Sequence, residues 1–96
     1  MLDQDLVIEI AENLGIPSNG DFSDNAYKVV LGGGIDEFGT IHSLLNKSDL
    51  VDVDESIVTA EETRVEYEYL EADYIIVLRA NLETNEAFIE IYARKP

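Results

Sequence analysis

Apolar residues near the N-terminus of the chain recur at the three- and four-residue spacing of a helix. They are Leu6, Val7, Ile10, Ala11 and Leu14. Asp3 or Asp5 is suited to cap the start of this helix, and Gly15 followed by Pro17 is suited to end it. The pattern predicts an N-terminal helix whose apolar face packs against another element.

The other strong patterns are those of strands. Residues 26–31 ("AYKVVL") are rich in β-branched and aromatic side chains, and residues 63–70 and 87–94 alternate between apolar and polar positions. Residues 73–80 ("DYIIVLRA") are apolar on both faces, which is typical of a central strand. Because short polar connections join the last three segments, we predict an antiparallel three-stranded meander.

The order of these elements predicts an α+β fold, in which an N-terminal helix packs on a mainly antiparallel sheet of about four strands. Residues 1–96 fit a single domain, since a chain of this length has no room for a second core. Residues 40–47 ("TIHSLLNK") fit a short second helix nearly as well as a strand, so both remain open. The two-sided apolar character of residues 73–80 requires a cover for the second sheet face. Either a second helix or a homodimer through the sheet provides one.

The chain carries 21 acidic and 6 basic residues, a net charge of −15. Such a field repels nucleic acid and anionic lipid and attracts basic surfaces, so we expect no direct nucleic-acid binding and no membrane partner. Across the ladders of the meander, Arg79 and Arg94 are expected to lie near Glu66, Glu68 and Glu90. With no recognisable signal segment and no apolar run longer than "YIIVL", the sequence leads us to expect a cytoplasmic protein.

A glycine-rich stretch follows the first predicted strand, as phosphate-binding loops do in nucleotide-binding proteins. Gly34 and Gly39 are separated by four residues and Thr40 follows, but the lysine of a P-loop is missing. Asp36 and Glu37 would also place like charge inside a phosphate cradle. We therefore interpret the glycines as residues of a tight turn that allows positive φ.

Residues 49–62 are dense in carboxylates of the kind that bind calcium or magnesium. The calcium loop of an EF-hand needs glycine at its sixth position and glutamate at its twelfth. Counted from Asp52, those positions hold Ile57 and Thr63, so the EF-hand is excluded. A weak cation site in this acidic loop is the alternative to a solvated loop, and we predict neither a metal nor a cofactor.

Catalytic residues are not evident. His42 is the only histidine and lies among apolar neighbours, which favours a half-buried structural role. Ser43 and Ser48 are too close to it in the chain to form the geometry of nucleophile, base and orienting group. We expect the protein not to be an enzyme.

Acidic residues are concentrated between Asp49 and Asp73, where ten carboxylates accompany one base, Arg64. An array of carboxylates on a rigid scaffold can imitate the phosphates of DNA and occupy the basic groove of a nucleic-acid-processing protein. In composition the chain resembles small acidic inhibitors such as anti-restriction, anti-CRISPR and nuclease-immunity proteins. The candidate partner-binding residues are Asp49, Asp52, Asp54, Glu55, Glu61, Glu62, Glu66 and Glu68.

The leading hypothesis is thus a non-enzymatic, DNA-mimic-like binding protein whose partner is basic. Tyr67, Tyr69 and Tyr74 are candidate aromatic anchors, although core packing is the better interpretation for at least two of them. The alternative is a homo-oligomeric accessory protein whose charge serves only solubility. Adaptation to high salt is a third interpretation of the charge.

Overall fold

The computed structural model of the protein describes residues 2–94. Two helices and six strands lie in that range. Their order is α1 (Gln4–Leu14), β1 (Asp21–Phe22), β2 (Ala26–Leu31), α2 (Gly34–Lys47), β3 (Val51–Val58), β4 (Glu62–Tyr69), β5 (Tyr74–Asn81) and β6 (Glu86–Ala93).

The six strands form one antiparallel sheet in the order β1-β2-β6-β5-β4-β3. The predicted meander is confirmed as β4, β5 and β6, and the two-sided apolar strand β5 lies in the interior of the sheet. The expected count of about four strands is wrong, because β1 and β3 were not recognised. β1 has only two residues, and β3 occupies the segment that we interpreted as an acidic loop.

Helix α1 has the predicted boundaries. The Asp3 side chain accepts a hydrogen bond from the backbone N–H of Leu6 at 3.1 Å, which caps the first turn. Gly15 ends the helix in the left-handed conformation, at a φ of 74°. The backbone N–H of Ile16 donates to the carbonyl of Ala11 at 2.8 Å, which completes the C-terminal cap.

Helix α2 resolves the open assignment of residues 40–47, which are helical. It begins earlier than the apolar pattern indicated, at Gly34, and ends at Lys47. Its buried side chains include Phe38, Ile41 and Leu45. They join the buried side chains of α1 in a single hydrophobic cluster, so the two helices cover the same face of the sheet.

The core lies between this helix face of the sheet and the two helices. One row of it crosses four strands, with Tyr27 opposite Ile91, Ile91 opposite Ile76, and Ile76 opposite Tyr67. All four side chains are completely buried. Val77 points to the opposite, outer face and is also completely buried, but it is not part of this cluster.

Candidate functional site

Strand β3 forms one edge of the sheet. It pairs with β4, and within residues 2–94 no strand pairs with its other side. Val51 is buried, and the other seven of its eight residues are exposed. An eight-residue edge presents backbone N–H and C=O groups along about 27 Å. The acidic segment is therefore an extended surface held by the sheet.

The pairing of β3 with β4 assigns its side chains to the two faces. Val53 is opposite the core residue Tyr67 and so lies on the helix face. Asp52 and Glu55 are directly opposite two glutamates of β4 and lie on the outer face. The register shifts between Val53 and Glu55, which makes Asp54 the extra residue of a β-bulge.

Three glutamates of the predicted site are engaged within the fold. These are the glutamates of β4, and each forms an ion pair with an arginine. The expected contacts of Arg94 with Glu68 and of Arg79 with Glu90 are confirmed, whereas Glu66 pairs with Arg64 of its own strand. The pairs are Arg64–Glu66 at 3.1 Å, Arg79–Glu62 at 3.0 Å and Arg94–Glu68 at 2.9 Å. Arg79 also lies 3.6 Å from Glu90. The basic partners of the β4 glutamates thus come from β4 itself, from the neighbouring strand β5 and from the residue that follows β6.

The other five predicted residues lie on β3 and in the turns beside it. We call them the edge carboxylates: Asp49, Asp52, Asp54, Glu55 and Glu61. All five are exposed, and none forms an ion pair within residues 2–94. Glu61 lies in the β3–β4 turn, where the hydroxyl oxygen of Thr59 accepts hydrogen bonds from the N–H groups of Glu61 at 3.2 Å and Glu62 at 2.9 Å.

Arg94 is the base whose electrostatic surroundings include β3. Its hydrogen bond with Glu68 raises the pKa of the guanidinium, and Asp54 and Asp73 add to this rise through space. Asp54 is therefore within the electrostatic reach of Arg94, although Arg94 makes its direct contact with Glu68.

Basic side chains also cover the outer face at its centre. The Lys28 ammonium lies 4.2 Å from the centre of the Phe88 ring, and the Arg79 guanidinium carbon lies 5.2 Å from it. Val77 is completely buried on this face although both helices are on the other. The bases near β5 and β6 therefore serve the scaffold, and the cover that β5 required comes from side chains of its own sheet.

The three tyrosines considered as aromatic anchors all lie in the core. Tyr67, Tyr69 and Tyr74 are 0%, 5% and 7% exposed. The Tyr67 hydroxyl donates a hydrogen bond to the side-chain oxygen of Asn46 at 3.0 Å, and burial raises the pKa of Tyr67 to about 12. The Tyr74 hydroxyl accepts from the backbone N–H of Asp3 at 3.2 Å. These side chains hold the helices to the sheet.

Apolar residues of β3 are part of the exposed edge and were not identified from the sequence. Val53 is 55% exposed, Ile57 is 40% exposed and Val58 is 71% exposed. The alternation of valine and aspartate at residues 51–54 is the signal that could have identified them. The bulge at Asp54 breaks this alternation, and the density of acid then favoured a loop.

The glycine-rich stretch is a turn whose polar groups bond within the chain. The Gly33 N–H donates to a carboxylate oxygen of Glu37 at 2.8 Å, and the Ile35 N–H donates to the side-chain oxygen of Asn85 at 3.1 Å. Gly34 has a φ of 63°, and a Cβ there would approach the Asn85 carbonyl to 2.6 Å. The backbone N–H groups of Gly33 and Ile35, at the start of α2, are thus hydrogen-bonded by side chains of the protein itself.

His42 lies half-buried on α2, as the structural interpretation predicted. Its ring stacks on Phe38 with 5.9 Å between the ring centres and an angle of 9° between the planes. A ring nitrogen is 3.3 Å from the side-chain amide of Asn46, which also receives the Tyr67 hydrogen bond. The histidine therefore belongs to the packing of α2 against the sheet.

The chain has no match among known protein families, curated proteins or solved structures. Within residues 2–94, no group of three acidic, histidine or cysteine side chains is arranged to hold a metal ion. No helix in the same range is long and apolar enough to cross a membrane. The geometry and charge of β3 therefore carry the functional inference.

Proposed function

We propose that the protein is a non-enzymatic binding protein of the inhibitor or DNA-mimic type. Its edge carboxylates dock on a basic partner, a nucleic-acid-processing protein of the cytoplasm. One observation supports this most strongly. Five exposed carboxylates lie on the edge strand β3 or in the turns beside it, and none of them forms an ion pair within residues 2–94, whereas all three glutamates of β4 form ion pairs. Charge placed in this way steers basic partners and fixes their orientation.

The pairing of β3 with β4 indicates that folding does not need these charges. Asp52 is directly opposite Glu68, and Glu55 is directly opposite Glu66. Like charges directly opposite each other destabilise a sheet, and the arginines bound to the two glutamates reduce this cost. Exposed carboxylates that face like charge within the sheet support a role in binding.

The test is affinity capture from a bacterial lysate at low ionic strength, with elution by salt and then by duplex DNA. Three proteins are compared: the native chain, a β3 variant (D52N, D54N and E55Q), and a control variant with the same charge change on α1. The control replaces the exposed residues Asp5, Glu9 and Glu12 by their amides.

We expect the native chain and the α1 control to retain a nucleic-acid-processing protein that both salt and DNA release. The β3 variant should lose it, because its charge at the edge is reduced. Equal retention by all three proteins would contradict the assignment to β3. Retention of no basic protein by the native chain would contradict the proposed function.

The alternative function is a homo-oligomeric accessory protein, and one observation favours it. Val30 is 69% exposed on the outer face, opposite Phe88 of β6. The complete burial of Val77 removes much of the need for a second subunit on this face. Light scattering measures whether the protein is a dimer, and the capture experiment measures whether it binds a basic protein. A stable dimer that captures no basic protein favours the accessory protein.

A further inference from the structure

The backbone of β3 offers a binding element besides its charge. Residues of an antiparallel strand direct their N–H and C=O groups alternately towards one neighbour and away from it. At the two ends of the β3–β4 pairing, the Leu50 carbonyl accepts from the Leu70 N–H at 2.9 Å, and the Thr59 N–H donates to the Glu62 carbonyl at 2.8 Å. These contacts fix which residues of β3 face β4.

Counting inward from both ends, with one extra residue at the bulge, leaves four positions whose backbone points away from β4. They are Val51, whose side chain is buried, and the exposed Val53, Ser56 and Val58. Their N–H and C=O groups form the open side of the sheet, where no strand of residues 2–94 pairs. This side can therefore accept hydrogen bonds from, and donate them to, an added strand.

The two faces of this edge differ in chemistry. On the helix face, Val51 is 6% exposed, whereas Val53 is 55% and Val58 is 71% exposed, so the helix layer covers only the start of β3. On the outer face the exposed side chains include Asp52 and Glu55. A strand added here meets two exposed valines and Ser56 on the helix face, and carboxylates together with Ile57, which is 40% exposed, on the outer face.

We infer that β3 binds an extended segment of its partner by strand addition, and that this segment alternates apolar residues with lysine or arginine. Its apolar side chains pack on the exposed valines of the helix face, and its basic side chains pair with the carboxylates of the outer face. Strand addition rests on the proposed function, because it specifies how the basic partner of the edge carboxylates is held.

Charge excludes a second copy of the chain as the occupant. Pairing of β3 with itself brings an acidic strand against an acidic strand, with Asp52, Asp54 and Glu55 on both sides. Like charges at neighbouring positions oppose such pairing, and carboxylates on edge strands are a common guard against it. The same carboxylates attract a basic strand.

The experiment uses two synthetic peptides of identical composition, each as long as β3. In one, lysine and valine alternate; in the other, all lysines precede all valines. Backbone amide hydrogen exchange of the isotope-labelled protein is measured by NMR with and without each peptide. We expect the alternating peptide to slow exchange at Val53, Ser56 and Val58 by about tenfold or more, and the block peptide to leave it unchanged.

A proline substitution provides a second test. Ser56→Pro removes an N–H that points away from β4, which edge strands tolerate, so the fold and the charge are retained. We expect it to weaken binding of the alternating peptide by about fivefold or more, while Ser56→Ala binds as the native chain does.

The possible failures are distinguishable. Binding of both peptides with no protection at the three amides overturns strand addition and leaves the proposed function intact. Binding of neither peptide by a protein that still captures a basic partner in a DNA-sensitive way also overturns strand addition alone. A concentration-dependent dimer with the three amides protected overturns the choice of a basic segment as occupant. Capture of no basic partner contradicts the proposed function itself.

Discussion

Strands β3 and β4 lie side by side, have eight residues each and carry three carboxylates each. On β4 all three glutamates form ion pairs with arginines, and every residue is at least partly buried. On β3 none of the three is paired within residues 2–94, and seven of the eight residues are exposed. The two strands thus have similar charge and opposite environments.

The comparison shows that the two strands differ in the surroundings of their carboxylates: those of β4 lie near arginines, and those of β3 face solvent. Besides β3, β4 has β5 as a neighbour, and its glutamates are reached by Arg64 of β4, Arg79 of β5 and Arg94, which follows β6. β3 has an open side, so its carboxylates face solvent. The fold therefore uses the charge of β4, and the charge of β3 remains available to a partner.

The largest expected contrast is in side-chain packing. Ile76 of β5 is completely buried and Ile57 of β3 is 40% exposed. Ile76→Ala should lower the free energy of unfolding by about 2–5 kcal/mol, because it leaves a cavity in the core, whereas Ile57→Ala should lower it by less than about 1 kcal/mol. Urea unfolding measures both. Similar losses would show that β3 is as much a part of the core as β5.

A second prediction concerns the loss of stability at alkaline pH, which depends on tyrosines whose pKa is raised by burial in the sheet. Burial raises the pKa of Tyr67 to about 12, and it also raises the pKa of Tyr27 and Tyr92. A pKa above the unfolded value of about 10 gives stability that is present below pH 10 and is lost as the pH rises towards 12. For Tyr67 the loss should reach about 2–3 kcal/mol.

Tyr67→Phe is the control for this prediction, because it removes the ionisable hydroxyl and keeps the ring. The unfolding free energy of the variant should fall less steeply than that of the native chain between pH 10 and 12. Every other ionisable group is present in both proteins, so the difference between the two curves isolates Tyr67. Parallel curves would contradict the raised pKa.

A smaller effect is expected for the ion pairs beside β4. Arg79 contacts Glu62 at 3.0 Å and Glu90 at 3.6 Å, and its side chain is 36% exposed. Because solvent screens such pairs, Arg79→Met should lower the unfolding free energy by about 0.5–1 kcal/mol at low ionic strength. The loss should shrink in about 1 M NaCl. An equal loss at both salt concentrations would assign the role of Arg79 to packing over Phe88.

Much of the fold could be predicted because several segments have a clear periodicity. β2 has the predicted bounds, and β4, β5 and β6 are each within one residue of them. β3 was missed because the bulge at Asp54 shifts its alternation halfway, and because Ser56 then takes a helix-face position between Val53 and Val58. The start of α2 was missed because glycines precede its first apolar turn.

The candidate site could be predicted only in part, for a different reason. All eight carboxylates were identified by their density in the sequence, but density does not show which of them have basic partners. That depends on cross-strand register, which brings Arg79 to Glu62 and Arg94 to Glu68 over long separations in the chain. Which valines of β3 are exposed likewise depends on where the helix layer ends, and the sequence pattern does not show this.

The central claim is that the carboxylates of β3 serve binding and not folding. The most direct measurement is the unfolding free energy of the β3 variant D52N, D54N and E55Q, compared with the native chain at low ionic strength. Removal of like charges opposite Glu66 and Glu68 should leave the variant as stable as the native chain or more stable by about 0.5 kcal/mol. A loss of more than about 1 kcal/mol would contradict the claim, because it would show that the fold depends on these charges.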